Sequence, residues 1–213
     1  MAGTPGTAPA APRFRGNARY DQGALEIRLR PAMTAGHGGR VLIRRETAGD
    51  AGVIRAVTSA AFARGEVRSE VPAEATLIDE LRGGPAWISA LSLVAVAPGG
   101  EVVGHVLCTR GHVGRDPVLG LGPLSVRPER QRCGVGSALV HAVLGAADAL
   151  GEPLVALLGD PAYYGRFGFL LSSEYAITPP RAEWQPHFQV RALNGYRSRL
   201  RGRFSYPEPF DRT

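Results

Sequence analysis

The sequence predicts an α/β (α+β) domain in which a mixed central sheet is flanked by helices. Three observations carry this expectation. Apolar residues recur at helical spacing in three windows. Short apolar or alternating runs bounded by Gly and Pro fall between and after them. The two kinds of segment are interleaved along the chain. The predicted order is β-α-α-β-β-β-α-β-α-β-β, with no internal repeat.

Residues 1–39 are rich in Ala, Gly, Pro and Thr and lack a sustained period, so they read as a disordered N-terminal tail ahead of a single domain over 40–213. Within the tail "ALEIRLR" alternates as an isolated strand would, and Met33 stands where a shorter chain would begin. "RVLIRR" (40–45) is the first strand. "TAGD" follows, with Thr47 as N-cap and Asp50 three residues on, the pattern of a capping box. Val53, Ile54, Val57, Ala60 and Ala61 then repeat as a helix face. Pro72 opens a second helix carrying Leu77, Ile78 and Leu81, which Gly83-Gly84 ends. The polar "ARGEVRSEV" between the two helices is a loop.

"LSLVAVAPGGEVVGHVLCTR" reads as two strands joined by a Pro98-Gly99-Gly100-Glu101 hairpin. "LGLGPLSV" is the next strand. A third helix presents Leu139, Val140, Val143, Leu144 and Ala147, with Gly151 at its C-terminal cap. "PLVALLG" is a buried strand, "DPAYYGRFGF" a short helix and turn, and "HFQVRAL" a late strand.

Composition narrows the function classes. With 213 residues, 44% hydrophobic and 21% charged, the chain can bury one sizeable core. No run approaches the ~20 apolar residues of a membrane helix. The N-terminus has no apolar core of a secretory signal, so a cytoplasmic protein with no membrane partner is expected. The net charge is +6 and all 25 basic residues are Arg, a compositional bias more than a functional mark. A basic balance also suits a polyphosphate ligand. "RSRLRGR" near the C-terminus has no interleaved aromatic platform, which argues against nucleic acid. Cys108 and Cys133 form no metal-spaced set and read as free thiols, so no metal is expected. A homodimer is compatible with the sequence.

The informative stretch is "RQRCGVGSALV" (130–140). A Walker-type phosphate loop needs a Lys that this chain lacks. The dinucleotide fingerprint needs a third Gly where Leu139 stands. What remains is an anion site at a helix start. The N–H groups there face outward, and Gly134 and Gly136 lack the Cβ atoms that would hold a phosphate away. Just upstream, Pro123 interrupts a strand and predicts an edge, a bulge or a bend. That would leave backbone groups near Leu124, Ser125 and Val126 open to a ligand carrying amides. Amides at one end and a pyrophosphate at the other describe coenzyme A.

"LGPLSVRPERQRCGVGSALV" resembles the acetyl-CoA motif of the GNAT superfamily of N-acetyltransferases, whose core pattern is Gln/Arg-x-x-Gly-x-Gly/Ala. "AYYGRFGF" resembles the superfamily's next motif, in which a Tyr precedes a Gly-Phe pair by four residues. The resemblance covers about residues 41 to 195 and looks closest to small bacterial members. It implies a GNAT-like, mostly antiparallel mixed sheet. It also implies acetyl-CoA as cosubstrate, with an acetyl group passing by direct attack to a primary amine of a small molecule or peptide. Leu124 and Val126 would meet the pantetheine arm. Gln131 would also bind the cofactor, Arg132, Cys133, Gly134, Val135, Gly136 and Ser137 would wrap the pyrophosphate, and Tyr164 would stand near the thioester sulfur. Many members carry an Asn after the fifth strand, where this chain has Leu158-Gly159-Asp160.

The amine must lose a proton before attack, since an alkyl ammonium has a pKa of ~10.4. Glu66, Glu70 and Glu74 flank the acceptor side in this fold, and Glu70 is taken as the base. His105 and His112 read as strand residues, and Tyr163 as a packing aromatic. An acyl-CoA-binding sensor without turnover is the alternative function.

Overall fold

The computed structural model describes residues 19–21, 24–27, 40–63 and 71–212. Strands β1 (Arg19–Asp21), β2 (Ala24–Ile27) and β3 (Val41–Arg45) precede helices α1 (Ala51–Phe62) and α2 (Ala73–Arg82). A meander follows: β4 (Ser92–Val96), β5 (Val102–Val113) and β6 (Asp116–Val126). Helix α3 (Val135–Ala149) leads to β7 (Leu154–Leu158) and the short α4 (Pro161–Tyr164). The chain closes with β8 (Leu170–Leu171), β9 (Ile177–Thr178), β10 (Phe188–Ala192) and β11 (Gly202–Ser205). The main path of the sheet is β1-β2-β3-β4-β5-β6-β7-β10-β8, and β11 joins both β5 and β9. Pairing is antiparallel except for β6 with β7 and β9 with β11. This is the mixed, mostly antiparallel sheet the sequence leads one to expect.

The N-terminal expectation changes at one point. Ala24–Ile27, the start of "ALEIRLR", is not isolated: it pairs with β3, placing Leu25 opposite Ile43. The remaining residues of 1–39, other than β1, lie outside the described residues, as do 64–70.

Local signals are realised where sequence chemistry is unambiguous. Asp50 accepts from the Thr47 N–H at 2.8 Å and from its hydroxyl at 2.7 Å, and Arg44 grips the same carboxylate through both guanidinium nitrogens at 2.6 and 2.8 Å. The box caps a short 3-10 turn that runs into α1. Gly100 takes φ +85° in the β4–β5 hairpin, and Gly151 takes φ +76° just past α3, where the Glu152 N–H returns to the Ala147 carbonyl.

The two faces of the sheet bury different partners. On one face α3 packs Leu139, Val140, Val143 and Ala147 against Val103, Val106, Leu119 and Val155. On the other, α1 and α2 cover Val94, Val102 and Leu107, and β11 with the C-terminal segment covers Val118, Leu154 and Ala156. Among the described residues no helix is long and apolar enough to cross a membrane.

Helix α2 is also tied to the sheet by a polar cluster. Glu46, just past β3, accepts from Arg82 Nε at 2.7 Å and from the Ser92 hydroxyl, and Ser92 Oγ lies 2.9 Å from His105 Nε2. His105 is fully buried and its Nδ1 has no hydrogen-bond partner among the described residues. Burial outweighs the attraction of Glu46 and holds the imidazole below its usual pKa, hence neutral. Burial alone would push Glu46 up. The His105 imidazole 3.6 Å away, hydrogen bonds from Arg82 and Ser92, and the Arg82 charge overcome this and hold it at about 2.

Both shifts act on stability in the same direction. In the unfolded chain His protonates near pH ~6.5 and Glu near ~4.3, while the native groups resist. The native state therefore binds fewer protons, and stability present above these values is lost as pH falls. The melting temperature should hold at pH 7 and above and decline steadily from about pH 6.5 toward pH 4. Glu46→Gln should cost about 3 kcal/mol at pH 7 and flatten the profile below about pH 5. Thermal melts across this range check it; a level wild-type profile would contradict the assignment.

Candidate functional site

The site begins where β6 and β7 part. They pair only at Leu119–Val155 and Gly120–Ala156, although β6 continues to Val126. The cause lies on the other side of β6. Val106 of β5 opposes Leu124, Cys108 opposes Leu121, and so Gly122 and Pro123 together face the single Leu107. Two residues against one make a bulge, which bends β6 away from β7. Pro123 has no N–H to lose from the ladder there.

Past the bulge the alternation is re-set. The Arg127 N–H donates to the Val103 carbonyl, and Gly104 lies opposite Val126. In an antiparallel ladder this turns the N–H and C=O of Ser125 toward β5 and leaves those of Leu124 and Val126 on the open edge. Gln131 donates to the Val126 carbonyl at 3.1 Å. Ser125 thus differs from its expected role. Its backbone groups are spent on β5, and its buried hydroxyl donates to Thr58 of α1 at 3.0 Å.

A pocket of about 720 Å³ opens beside Leu124 and Val126 and runs to the start of α3, reaching Gln131, Arg132, Gly134, Gly136 and Ser137. The loop's backbone is shaped for it. Arg132 has φ +58° and Gly134 φ +85°, two left-handed residues that turn successive N–H groups toward one side. The first intrahelical bond runs from the Ala138 N–H to the Gly134 carbonyl, and no side chain caps the helix. The N–H groups of Val135, Gly136 and Ser137 therefore end α3 without intrahelical partners. A Cβ built on Gly136 would come within 2.9 Å of the Tyr163 hydroxyl, so the bare helix face is what lets that side chain lie across it. The open strand edge and the uncapped, Cβ-free helix start together fit a ligand with amides at one end and phosphates at the other.

Asp160 caps α4 by accepting from the Ala162 N–H at 2.9 Å, and this short helix carries both tyrosines. Tyr163 walls the pocket with Arg166, whose guanidinium sits 4.7 Å from its ring centre. Tyr164 turns inward against Gly159 and Phe169. Burial pushes its hydroxyl well above the usual tyrosine value, with Tyr163 and Cys108 adding to the effect. It is a protonated donor at neutral pH.

Of the other predicted residues, Cys133 is exposed and Val135 points its side chain into the core, so neither side chain walls the pocket. Glu74 lies in the first turn of α2, while Glu66 and Glu70 fall outside the described residues. His105 belongs to the Glu46 cluster and His112 is exposed on β5. Sequence reasoning missed Tyr163, Arg166, Ala61 and Phe62 as pocket walls. The adjacency of Tyr163 to Tyr164 was the available signal, but which ring faces the cavity depends on how α4 is docked.

A sequence model of the acetyltransferase (GNAT) family matches residues 61–169. The chain is 33% identical over 182 residues to the uncharacterized N-acetyltransferase YhbS of Escherichia coli K12, covering 81% of this chain and 99% of that one. Its fold is similar to the crystal structure of E. coli YhbS in complex with CoA, with a TM-score of 0.70, 30% identity, and 86% and 95% of the two chains covered. It is also similar to a GNAT family acetyltransferase from Brucella melitensis in complex with acetyl-CoA. There the TM-score is 0.64 and the identity 34%, with 79% of this chain and 97% of that one covered.

Proposed function

This chain belongs to the GNAT family and is an acetyl-CoA-dependent N-acetyltransferase, and from that premise we propose how its own residues bind the cosubstrate and move the acetyl group to a primary amine. The single observation that carries the reading is the open edge of β6 ending at an uncapped α3. Acetyl-CoA supplies an acetyl thioester, already reactive toward a neutral amine. The main-chain groups of Leu124 and Val126 pair with the amides of its pantetheine arm. The N–H groups of residues 135–137, with Arg132 beside them, receive the pyrophosphate, where the helix dipole favours negative charge.

The chemistry left to the protein is positioning and proton management. Holding the amine against the thioester in one ternary complex replaces a bimolecular encounter with an oriented one. Tyr164 donates a hydrogen bond or proton to the departing sulfur, since a hydroxyl kept protonated by burial cannot serve as a base. We assign the opposing proton acceptor to Glu70, which follows α1, the helix whose last residues Ala61 and Phe62 wall the pocket. Residues 40–213 suffice for this activity as one domain.

Calorimetry with acetyl-CoA, followed by thiol release with a panel of amines, tests the reading. Gly136→Val should abolish or strongly weaken binding while the protein stays folded, because the branched side chain fills the space beside the Tyr163 hydroxyl. Undiminished affinity in that variant would remove the α3 start from the site. With an accepted amine, Tyr164→Phe should lower kcat by roughly 10²-fold and leave acetyl-CoA affinity nearly unchanged. A variant as fast as wild type would return Tyr164 to a packing role. A chain beginning at Arg40 should keep its acetyl-CoA affinity; loss of binding there would extend the domain to β2.

A further inference from the structure

A second pocket, of about 400 Å³, lies on the sheet face opposite α3. Its walls are aromatic. Tyr206 and Phe210 stack at 4.4 Å between ring centres, and Trp184 meets Tyr206 edge-on at 6.5 Å. Three charged side chains rim it. Arg181 lies over the Trp184 ring at 5.0 Å, Arg203 donates to the Pro180 carbonyl, and Asp211 stands opposite them in charge. Among the described residues neither arginine has a carboxylate within ion-pair distance, so the rim keeps a net positive charge.

One of its walls, Tyr206, reaches the place where β6 and β7 part. A Cβ on Gly120 would fall 2.6 Å from the Tyr206 ring, and the buried Tyr206 hydroxyl bonds to the main chain of Leu158. Gly120 is in the last β6–β7 pair before the strands separate, and Leu158 is the last residue of β7. Tyr206 therefore lies across the far side of the opening whose near side is the α3 pocket. Tyr164 packs against the cluster on the α3 face and Tyr206 against the cluster on the other, so the two tyrosines flank the parted strands from opposite faces.

We propose that this second pocket holds the acceptor, and that it takes a small primary amine carrying both a carboxylate and an aromatic group, in the manner of an aromatic amino acid. The proposal rests on the acetyl-CoA reading of the first pocket. The ring enters among Trp184, Tyr206 and Phe210, where aromatic pairs add to simple burial. The carboxylate meets Arg181 and Arg203, whose planar guanidinium groups match it. The amine is then directed at the opening. In the transfer its nitrogen bonds to the acetyl carbon as the carbon–sulfur bond breaks. Sulfur keeps the bonding pair and the proton lost by nitrogen ends on it, giving the N-acetyl amine and free CoA thiol.

The test uses the full chain. Thiol release from acetyl-CoA is followed with L-phenylalanine and L-tryptophan, with phenethylamine and tryptamine, which lack the carboxylate, and with L-alanine, which lacks the ring. The aromatic amino acids should exceed both kinds of control about tenfold or more in kcat/KM. Arg181→Ala should raise KM for L-phenylalanine by about tenfold, with KM for acetyl-CoA unchanged and Arg181→Lys recovering part of the loss. In a Trp87→Phe background, L-phenylalanine without any acetyl-CoA should change Trp184 fluorescence saturably, and phenethylamine should not. Equal use of the decarboxylated amines, or no Trp184 response, overturns the proposal. A Trp184 response in a protein that fails to bind acetyl-CoA would instead count against the reading of the first pocket.

Discussion

Strand β6 can serve β7 for only two residues. The bulge at Gly122-Pro123 spends one more residue than β5 can match, and β6 bends out of the sheet. Most of what distinguishes this molecule follows from that break. It exposes the polar edge of Leu124 and Val126 on one side, and it leaves an opening through the sheet that Tyr164 and Tyr206 approach from opposite faces. An unpaired strand edge inside a domain is costly unless a ligand or a side chain satisfies it. Gln131 does so for the Val126 carbonyl, which links the strand's fate to the loop that follows it.

Polar groups elsewhere are spent on rigidity. The Arg44–Asp50 pair fixes the entry to α1, Glu46 with Arg82, Ser92 and His105 fastens α2, and Arg110 holds Glu152 through two bonds of 2.6 and 2.7 Å beside the end of α3. Each joins a helix end to the sheet, so the elements that border the opening are anchored at some distance from it. The start of α3 is the exception. Its N-cap is a left-handed glycine without a side chain, and the N–H groups of Val135, Gly136 and Ser137 have no intrahelical partner.

What the sequence alone determined is local. Thr47 and Asp50 are three residues apart, and that separation suffices for a capping box. Gly100 and Gly151 supply the positive φ their turns need, and Gly134, also at positive φ, marks the start of α3. The period of α3 identified the residues that reach the core. Pro123 announced an edge, a bulge or a bend, because a residue without an N–H cannot donate to a ladder, and the pairing with β5 makes it a bulge. These signals are legible because chain neighbours set the backbone angles, and those angles are the feature being read.

Tertiary structure decided everything that depends on register between distant segments. Ser125 was grouped with Leu124 and Val126, yet the two-against-one pairing at Leu107 turns its backbone groups to β5 and its hydroxyl to Thr58. Tyr163 and Tyr164 are adjacent in sequence, and only the docking of α4 onto Gly136 and Gly159 sends one to the pocket and the other inward. His105 read as an ordinary strand residue, and its network with Glu46 and Ser92 spans three strands. Tyr206 lies more than eighty residues from Gly120 and meets it only because β11 crosses to β5. A side chain's chemistry is carried by the sequence, but which groups share a site is set by strand pairing and helix docking, and those depend on the packing of the whole sheet.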